Sequence, residues 1–107
     1  MAEILKGTLD LLILRTLSLG PNHGLGIARR IGQVTRRELD VKPGSLFPAL
    51  YRLEERGWLT SMPGGGGTHP RAKLYKRTQA GRKQIAAETA SWRRVVEAMA
   101  RVIEETS

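Results

Sequence analysis

The chain has 107 residues, no cysteine and a formal net charge of +8. That length predicts a single small domain, and the lack of cysteine excludes disulfides and thiolate metal sites. No apolar run approaches the roughly 20 residues of a membrane span, and the first residues lack the order of a secretion signal, so we expect a soluble cytoplasmic protein.

The positive charge is concentrated in one part of the chain. Residues 29–83 contain 13 Lys and Arg against 4 Asp and Glu, whereas the rest contains 5 against 6. A concentrated basic region is the pattern expected for a protein that binds a polyanion such as nucleic acid. The alternative is that the charge only keeps the protein soluble, which explains a dispersed excess better than a concentrated one.

The first third of the chain predicts two helices. Residues 8–19 are rich in Leu and Ile almost all round, which indicates a central, buried helix that Gly20 and Pro21 end. Asn22 is a favoured residue for capping the second helix. In that helix the side chains predicted to face the core are Ile27, Ile31 and Val34, and those predicted to face outward are Arg29, Arg30 and Gln33.

A third helix with two distinct faces is predicted within residues 42–58. Leu46, Leu50 and Leu53 form an apolar stripe at helical spacing. The opposite face carries mostly polar and aromatic side chains, namely Ser45, Pro48, Tyr51, Arg52 and Glu55. Pro48 has no backbone N–H, which costs nothing only among the first four N–H groups of a helix, because these have no helical partner. Ser45 is therefore the earliest N-cap that leaves the helix straight, and serine is a favoured cap. Gly57 is predicted to end the helix.

After the third helix the apolar period changes from 3.6 to 2. Residues 58–62 and 71–77 are predicted to be the two strands of a β-hairpin, and the loop of residues 63–70 contains four consecutive glycines. The second and third helices, joined by a short linker, predict a helix-turn-helix. A helix-turn-helix followed by a basic hairpin is the winged-helix arrangement.

The last predicted helix runs from a Thr78 cap to about residue 105, roughly 40 Å at 1.5 Å per residue. Its apolar positions have the 4-3-4-3-4 spacing of a helix–helix seam, with Thr89 in the remaining slot: Ile85, Trp92, Val96, Met99 and Ile103. A small domain cannot cover so long a stripe, so we expect the same helix of a second subunit to cover it. The alternative is that the helix folds back on its own domain.

The predicted fold class is therefore mainly α (α+β). Residues 1–78 are expected to form a winged helix-turn-helix DNA-binding domain, and residues 79–107 a long C-terminal dimerisation helix.

Four stretches of the sequence together resemble the PadR family of bacterial transcriptional regulators. They are GTLDLLILRTL in the first helix, HGLGIARRI in the second, GSLFPALYRLEERGWL in the third, and AKLYKRTQAGRKQI from the wing into the last helix. The resemblance implies a homodimeric winged-helix repressor that binds inverted-repeat operators and is released by a small ligand or another signal. It also implies the branch of the family with a single C-terminal dimerisation helix.

The chain departs from the family pattern at four positions. Leu25 and Phe47 stand where the family usually carries tyrosines near the DNA face, so two hydroxyl groups directed at phosphates are absent. In the second strand of the wing, Leu74 and Arg77 replace a more usual Tyr and Leu. Arg77 would then occupy a position that the family makes apolar.

Nine residues are the predicted DNA contacts. They are Lys42, Ser45, Phe47, Pro48, Tyr51 and Arg52 of the third helix, and Arg71, Lys73 and Lys76 of the wing. Arg52 could donate two hydrogen bonds to a guanine edge or could grip a phosphate, and most protein–DNA hydrogen bonds go to the backbone. Ser45 could instead only cap its helix, and Tyr51 could only cover the edge of the core. For the basic wing residues the alternative is a solvated strand face, although no acid balances them there.

The seam of the last helix supports two interpretations. Trp92 is predicted first as a dimer anchor, but a channel between subunits would let Trp92, Val96 and Met99 bind a planar aromatic molecule. A ligand-binding protein is therefore a second hypothesis, and a winged-helix interaction or RNA-binding module is a third. No spacing suggests a metal site or a nucleophile–base pair, so we expect no cofactor and no enzymatic activity.

Overall fold

The computed structural model describes residues 6–63 and 72–106. Its elements in chain order are α1 (Lys6–Thr16), a 3-10 turn (Leu17–Leu19), β1 (Asn22–His23), α2 (Gly24–Val34), α3 (Pro43–Glu55), β2 (Leu59–Pro63), β3 (Lys73–Arg77) and α4 (Gln79–Thr106). The three strands form one antiparallel sheet in the order β1-β3-β2. This is the predicted α+β winged-helix fold.

The first helix, α1, is the centre of the core and packs against α2, α3 and α4. Its Ile13 and Leu14 are fully buried, as expected for a helix that is apolar almost all round. The other elements and the linker between α2 and α3 contribute most of the remaining core residues: Ile27, Ile31, Val41, Leu46, Ala49, Leu50, Leu53, Leu59, Tyr75 and Ile85. Within the described ranges, no helix combines the length and the apolar character needed to cross a bilayer.

The prediction for the two ends of α2 was wrong. Asn22 does not cap the helix, because Asn22 and His23 pair with Tyr75 and Leu74 of β3 and the helix begins one residue later, at Gly24. Val34 is exposed instead of facing the core. It is the last residue of the helix, and the chain turns away from the core directly after it.

That turn is built on an arginine where glycine is usual. The N–H of Arg36 donates to the carbonyl of Gln33 at 3.2 Å, and the N–H of Arg37 donates to the carbonyl of Gly32 at 2.7 Å, which is the Schellman pattern. The φ angles of Arg36 and Arg37 are 53° and 66°, a region that costs an L-residue about 1–2 kcal/mol. At the end of α3 the same pattern uses Gly57, with a φ of 75°, so the predicted terminator is confirmed.

The third helix begins two residues before the predicted N-cap. Pro43 occupies the first helical position, where its fixed φ suits the helix and its missing N–H has no partner to lose. The N–H groups of Ser45 and Leu46 both donate to the carbonyl of Lys42, so Ser45 lies inside the helix and does not cap it. Pro48 is then an interior residue that deprives the carbonyl of Gly44 of its helical donor. Gly44 and Pro48 are both exposed, so water can hydrate the Gly44 carbonyl.

The hairpin pairs in the register Leu59–Arg77, Ser61–Tyr75 and Pro63–Lys73. Both strands were predicted, although each is shorter or displaced by one or two residues, and residues 64–71, including most of the glycine-rich loop and Arg71, lie outside the described residues. Arg77 is half-buried at the position that the family makes apolar. Burial lowers its pKa, and the nearby Arg82 and Arg15 lower it further.

The last helix starts on the predicted cap. The hydroxyl of Thr78 accepts a hydrogen bond from the N–H of Gly81 at 3.0 Å, which satisfies a donor in the first turn of α4. Gly81 is buried directly against the backbone of Trp58, and this close approach leaves no room for a Cβ. Ile85 belongs to the core of the winged helix, so its assignment to the dimer seam was wrong. Every described residue from 90 to 106 is exposed.

Candidate nucleic-acid interface

The exposed face of α3 carries mostly small, aromatic and cyclic side chains, and the exposed Glu55 lies at its C-terminal end. Ser45 and Pro48 are exposed, and Phe47 and Tyr51 are 44% and 66% exposed. The leucines of the predicted apolar stripe are fully buried on the other side. The structure therefore brings most of the predicted contacts of the third helix together on one surface, and no described element covers it.

Lys42 lies at the start of this surface, where the chain enters α3. It is the N-cap residue, and its side chain makes no capping hydrogen bond. The ammonium group contacts the carboxylate of Asp40 at 2.5 Å, but the Lys42 side chain is 74% exposed. Exposed pairs of this kind contribute little to stability, so the ammonium can exchange Asp40 for another anion.

Phe47 also covers the start of α2. A Cβ at Gly24 would lie 2.8 Å from Cε1 and 3.1 Å from Cζ of the Phe47 ring. The ring therefore occupies the space that a larger residue at position 24 would need. Only part of Phe47 can contact another molecule, and the rest joins α2 to α3.

Arg52 does not lie on the exposed face, contrary to the prediction. Its guanidinium donates from Nη2 to Oδ1 of Asp10 on α1, and the two side chains are only 25% and 16% exposed. The prediction placed Arg52 by its angle around the helix, but α1 packs beside α3 at this angle and provides an acid. Asp10 was not identified as a partner from the sequence because 42 residues separate the two.

The two described lysines of the wing lie on opposite faces of β3. Side chains alternate along a strand, so Lys73 shares the face of the buried Tyr75, and Lys76 shares the other face with Leu74. Both lysines are exposed. Lys76 therefore projects from the outer face of the hairpin, whereas Lys73 lies near the loop end, opposite Pro63.

Two side-chain contacts attach the wing to the helix-turn-helix. The ring Nδ1 of His23, at the start of α2, lies 3.2 Å from the carbonyl of Lys73. The hydroxyl of Ser61 on β2 donates to Oε2 of Glu54 on α3 at 2.6 Å. Burial raises the pKa of Tyr75, and the Glu54 carboxylate raises it further. These contacts hold the hairpin against α2 and α3, beside the exposed face of α3.

The predicted seam of α4 is an apolar surface that none of the described residues covers. The side chains from Trp92 to Ile103 on this stripe are between 41% and 62% exposed: Trp92, Val95, Val96, Met99, Val102 and Ile103. Thr89, at the point where α4 leaves the core, has a buried hydroxyl oxygen without a hydrogen-bond partner among the described residues. The same part of the chain contains no group of three or more His, Asp or Glu that could hold a metal ion.

Comparisons with known proteins agree with this geometry. The profile of the Transcriptional regulator PadR-like family matches residues 13–87. An uncharacterized protein of Lysinibacillus sphaericus is 25% identical over 96 residues, which cover 90% of this chain and 88% of that protein.

Two solved structures have both the fold and appreciable sequence identity. A transcriptional regulator from Clostridium thermocellum is 28% identical, with a TM-score of 0.77 over 94% of this chain and 91% of that one. A PadR family transcriptional regulator from Eggerthella lenta is 26% identical, with a TM-score of 0.78 over 95% and 86%. The chain therefore belongs to the PadR-like family of transcriptional regulators, whose members bind DNA through a winged helix.

Proposed function

We propose that this protein is a homodimeric repressor that binds an inverted-repeat operator and is released from it by a small ligand. The observation that carries the proposal is the pair of uncovered surfaces on one chain. The outer face of α3 is exposed beside the wing, and the apolar stripe of α4 is exposed beyond the core. The first surface fits a DNA groove, and the second fits a second copy of the chain.

The outer face of α3 supports reading of the major groove. Ser45 and Tyr51 offer hydroxyl groups, and Phe47 and Pro48 offer apolar contact of the kind that thymine methyl groups accept. Helix-turn-helix proteins usually meet the bases with the N-terminal part of the second helix, where these residues lie. Arg52 is held by Asp10, so in this proposal it supports α3 from behind and does not contact a base.

Affinity is proposed to depend mainly on the basic residues around α3. Lys42, Lys73 and Lys76 are exposed and would contact phosphates, together with Arg71, which lies outside the described residues. Each phosphate that they neutralise contributes about 0.9 to the slope of log affinity against log salt. Replacing Lys76 with alanine should therefore make the salt dependence shallower, by about 0.9 in slope for each phosphate that this lysine neutralises in the native complex. The preference for one DNA sequence over another should change little.

The dimer is proposed to form through the stripe of α4 centred on Trp92, Val96 and Met99. An apolar stripe of this length at heptad spacing is the pattern of helices that pair. A two-fold dimer presents two copies of α3 to two half-sites, which would lie roughly 34–36 Å apart if successive major grooves are used.

The test is to select fragments of the source genome that the protein binds and to titrate them in gel shifts. At physiological salt the selected fragment should bind at least about 1,000-fold more tightly than random duplex DNA of the same length. Equal affinity for both would contradict sequence-specific regulation. Competition by duplex RNA would favour an RNA-binding module, because the narrow major groove of A-form RNA does not admit a helix.

A second candidate function is binding of a planar aromatic molecule between the α4 helices. Trp92 is 41% exposed in the chain, so an indole face is accessible next to Val96 and Met99. Quenching of tryptophan fluorescence by planar aromatics, together with direct binding of the same compounds that is lost in Trp92→Ala while the dimer persists, would support this function. If the same compounds also release the selected DNA, the ligand is the proposed inducer.

A further inference from the structure

One carboxylate of α1 faces two arginines, Arg52 of α3 and Arg56, which is the C-cap residue of that helix. Nη2 of Arg52 lies 2.5 Å from Oδ1 of Asp10, and Nη1 of Arg56 lies 4.0 Å from Oδ2. Arg56 follows Arg52 by four residues, so the two lie one turn apart on the same side at the C-terminal end of α3. Asp10 therefore joins the central helix of the core to the C-terminal half of the helix that faces outward to DNA in the proposed function.

This contact differs in kind from the rest of the packing of α3. Leu46, Leu50 and Leu53 hold the helix by apolar burial, which is not directional. A charge-assisted hydrogen bond from a guanidinium to a carboxylate is directional and short. The Asp10 side chain is 16% exposed and that of Arg52 is 25% exposed, so water screens this pair less than a surface pair.

The contact continues from Arg56 to the base of the wing. The guanidinium carbon of Arg56 lies 5.2 Å from the centre of the Trp58 ring, a distance at which a cation is attracted to the aromatic face. Trp58 directly precedes β2, and its carbonyl accepts the N–H of Thr78 at 3.1 Å. Asp10 is thus connected to the strand pair as well as to α3.

We infer that Asp10 is a positioning residue for DNA recognition, an inference that rests on the proposed function. By holding Arg52 and attracting the more distant Arg56, it fixes the rotation of α3 about its own axis and keeps the Arg52 guanidinium away from phosphates. The side chains of a helix reach about 5–6 Å from its axis. A rotation of about 10° therefore moves their tips by about 1 Å, which is enough to disrupt the geometry of a hydrogen bond to a base edge.

The experiment replaces Asp10 with asparagine, which keeps the size of the side chain and removes its charge. Affinity is measured for the selected operator and for random duplex DNA over a series of salt concentrations. The ratio of the two affinities should fall about tenfold. The salt slope on random DNA should become steeper by up to about 0.9, because the released Arg52 gains a phosphate. A merely structural role would lower thermal stability and weaken binding to both DNAs without steepening the slope.

Two variants serve as controls. Glu105→Gln makes the same change in net charge at an exposed residue near the end of α4, and it should leave the affinity ratio unchanged. Asp10→Glu keeps the charge, so its ratio of operator affinity to random-DNA affinity should stay within about twofold of that of the native protein. If Asp10→Asn does not fold, Arg52→Gln replaces it, with the same fall in the ratio expected and no steeper slope.

The outcomes separate this inference from the proposed function. If the native protein discriminates its operator and Asp10→Asn discriminates equally well, Asp10 does not position α3 and the proposed function stands. If Asp10→Asn and Glu105→Gln have the same effect on the affinity for the operator and on the affinity for random DNA, only the net charge matters and the inference is wrong. If the native protein does not distinguish the operator from random DNA, the proposed function and the inference are both overturned.

Discussion

Replacing Trp92 with arginine tests whether α4 forms the dimer. Trp92 is the largest residue of the exposed stripe, and in a symmetric dimer its replacement occurs twice. A buried tryptophan at the centre of an interface typically contributes at least about 2 kcal/mol, so two copies contribute about 4 kcal/mol. At about 1.4 kcal/mol per tenfold change, the dissociation constant of the dimer should rise by about 1,000-fold. Desolvation of the two new guanidinium groups would weaken the dimer further.

The measurement is sedimentation velocity at a protein concentration where the native chain is fully dimeric. Trp92→Arg should sediment as a monomer with an unchanged far-UV circular dichroism spectrum. Ala90→Arg is the matched control, because it adds the same charge to an exposed residue of α4 about 200° around the helix from Trp92. If Trp92→Arg sediments as a dimer like the control, the stripe is not the dimer interface and the reasoning fails.

Three further predictions concern stability. Gly81→Ala should lower the free energy of unfolding by about 2 kcal/mol, because the new Cβ would meet the backbone of Trp58. Gly44→Ala is the control, and it should raise the free energy of unfolding slightly, because the space around Gly44 is open and alanine favours a helix. Urea denaturation of both variants checks this prediction. Arg36→Gly should raise the thermal midpoint of unfolding. The strain energy that glycine removes from the folded turn exceeds the conformational entropy that it adds to the unfolded chain by about 0.5–1 kcal/mol. Burial raises the pKa of Tyr75 above its ordinary 10.0, so the stability that its neutral phenol provides is complete below pH 10 and is lost as the pH rises through the raised pKa. Urea midpoints of the native protein should therefore fall more steeply above pH 10 than those of Tyr75→Phe.

The features that follow from local pattern could be predicted from the sequence. The leucine stripe of α3 is fully buried, because a helix that has one apolar and one polar face has one stable way to pack. The Thr78 cap and the Gly57 terminator were also predicted, since both depend on backbone groups within a few residues. The order of helices, hairpin and long last helix then determined the fold class.

Three of the wrong predictions depend on distant parts of the chain, whereas the predicted Ser45 cap was wrong for a local reason, because the helix already begins at Pro43. Asn22 was expected to cap α2, but it joins a strand whose partner, Tyr75, comes much later in the sequence. Arg52 was expected to face outward, but α1 places Asp10 beside it. Ile85 has the same spacing as the residues of the exposed stripe, because one helical stripe runs continuously from the core to the free end of α4. Periodicity identifies such a stripe, but it does not show at which residue the stripe stops packing on the core of its own chain.

In the proposed function, the position of α1 connects dimer formation with DNA contact. α1 packs against α4, and it also packs against α3, where Asp10 adds a directional contact. α4 joins the core at Ile85 and continues as one helix to Thr106, so the face available to a second subunit is continuous with the core. In a dimer formed through that face, the separation of the two copies of α3 depends on the angles that α1 makes with α3 and α4. Removal of the Asp10 charge should therefore change how strongly the dimer prefers one half-site spacing, whereas Trp92→Arg should abolish the preference for paired half-sites. Gel shifts with operators lengthened or shortened by one base pair between half-sites would distinguish the two effects.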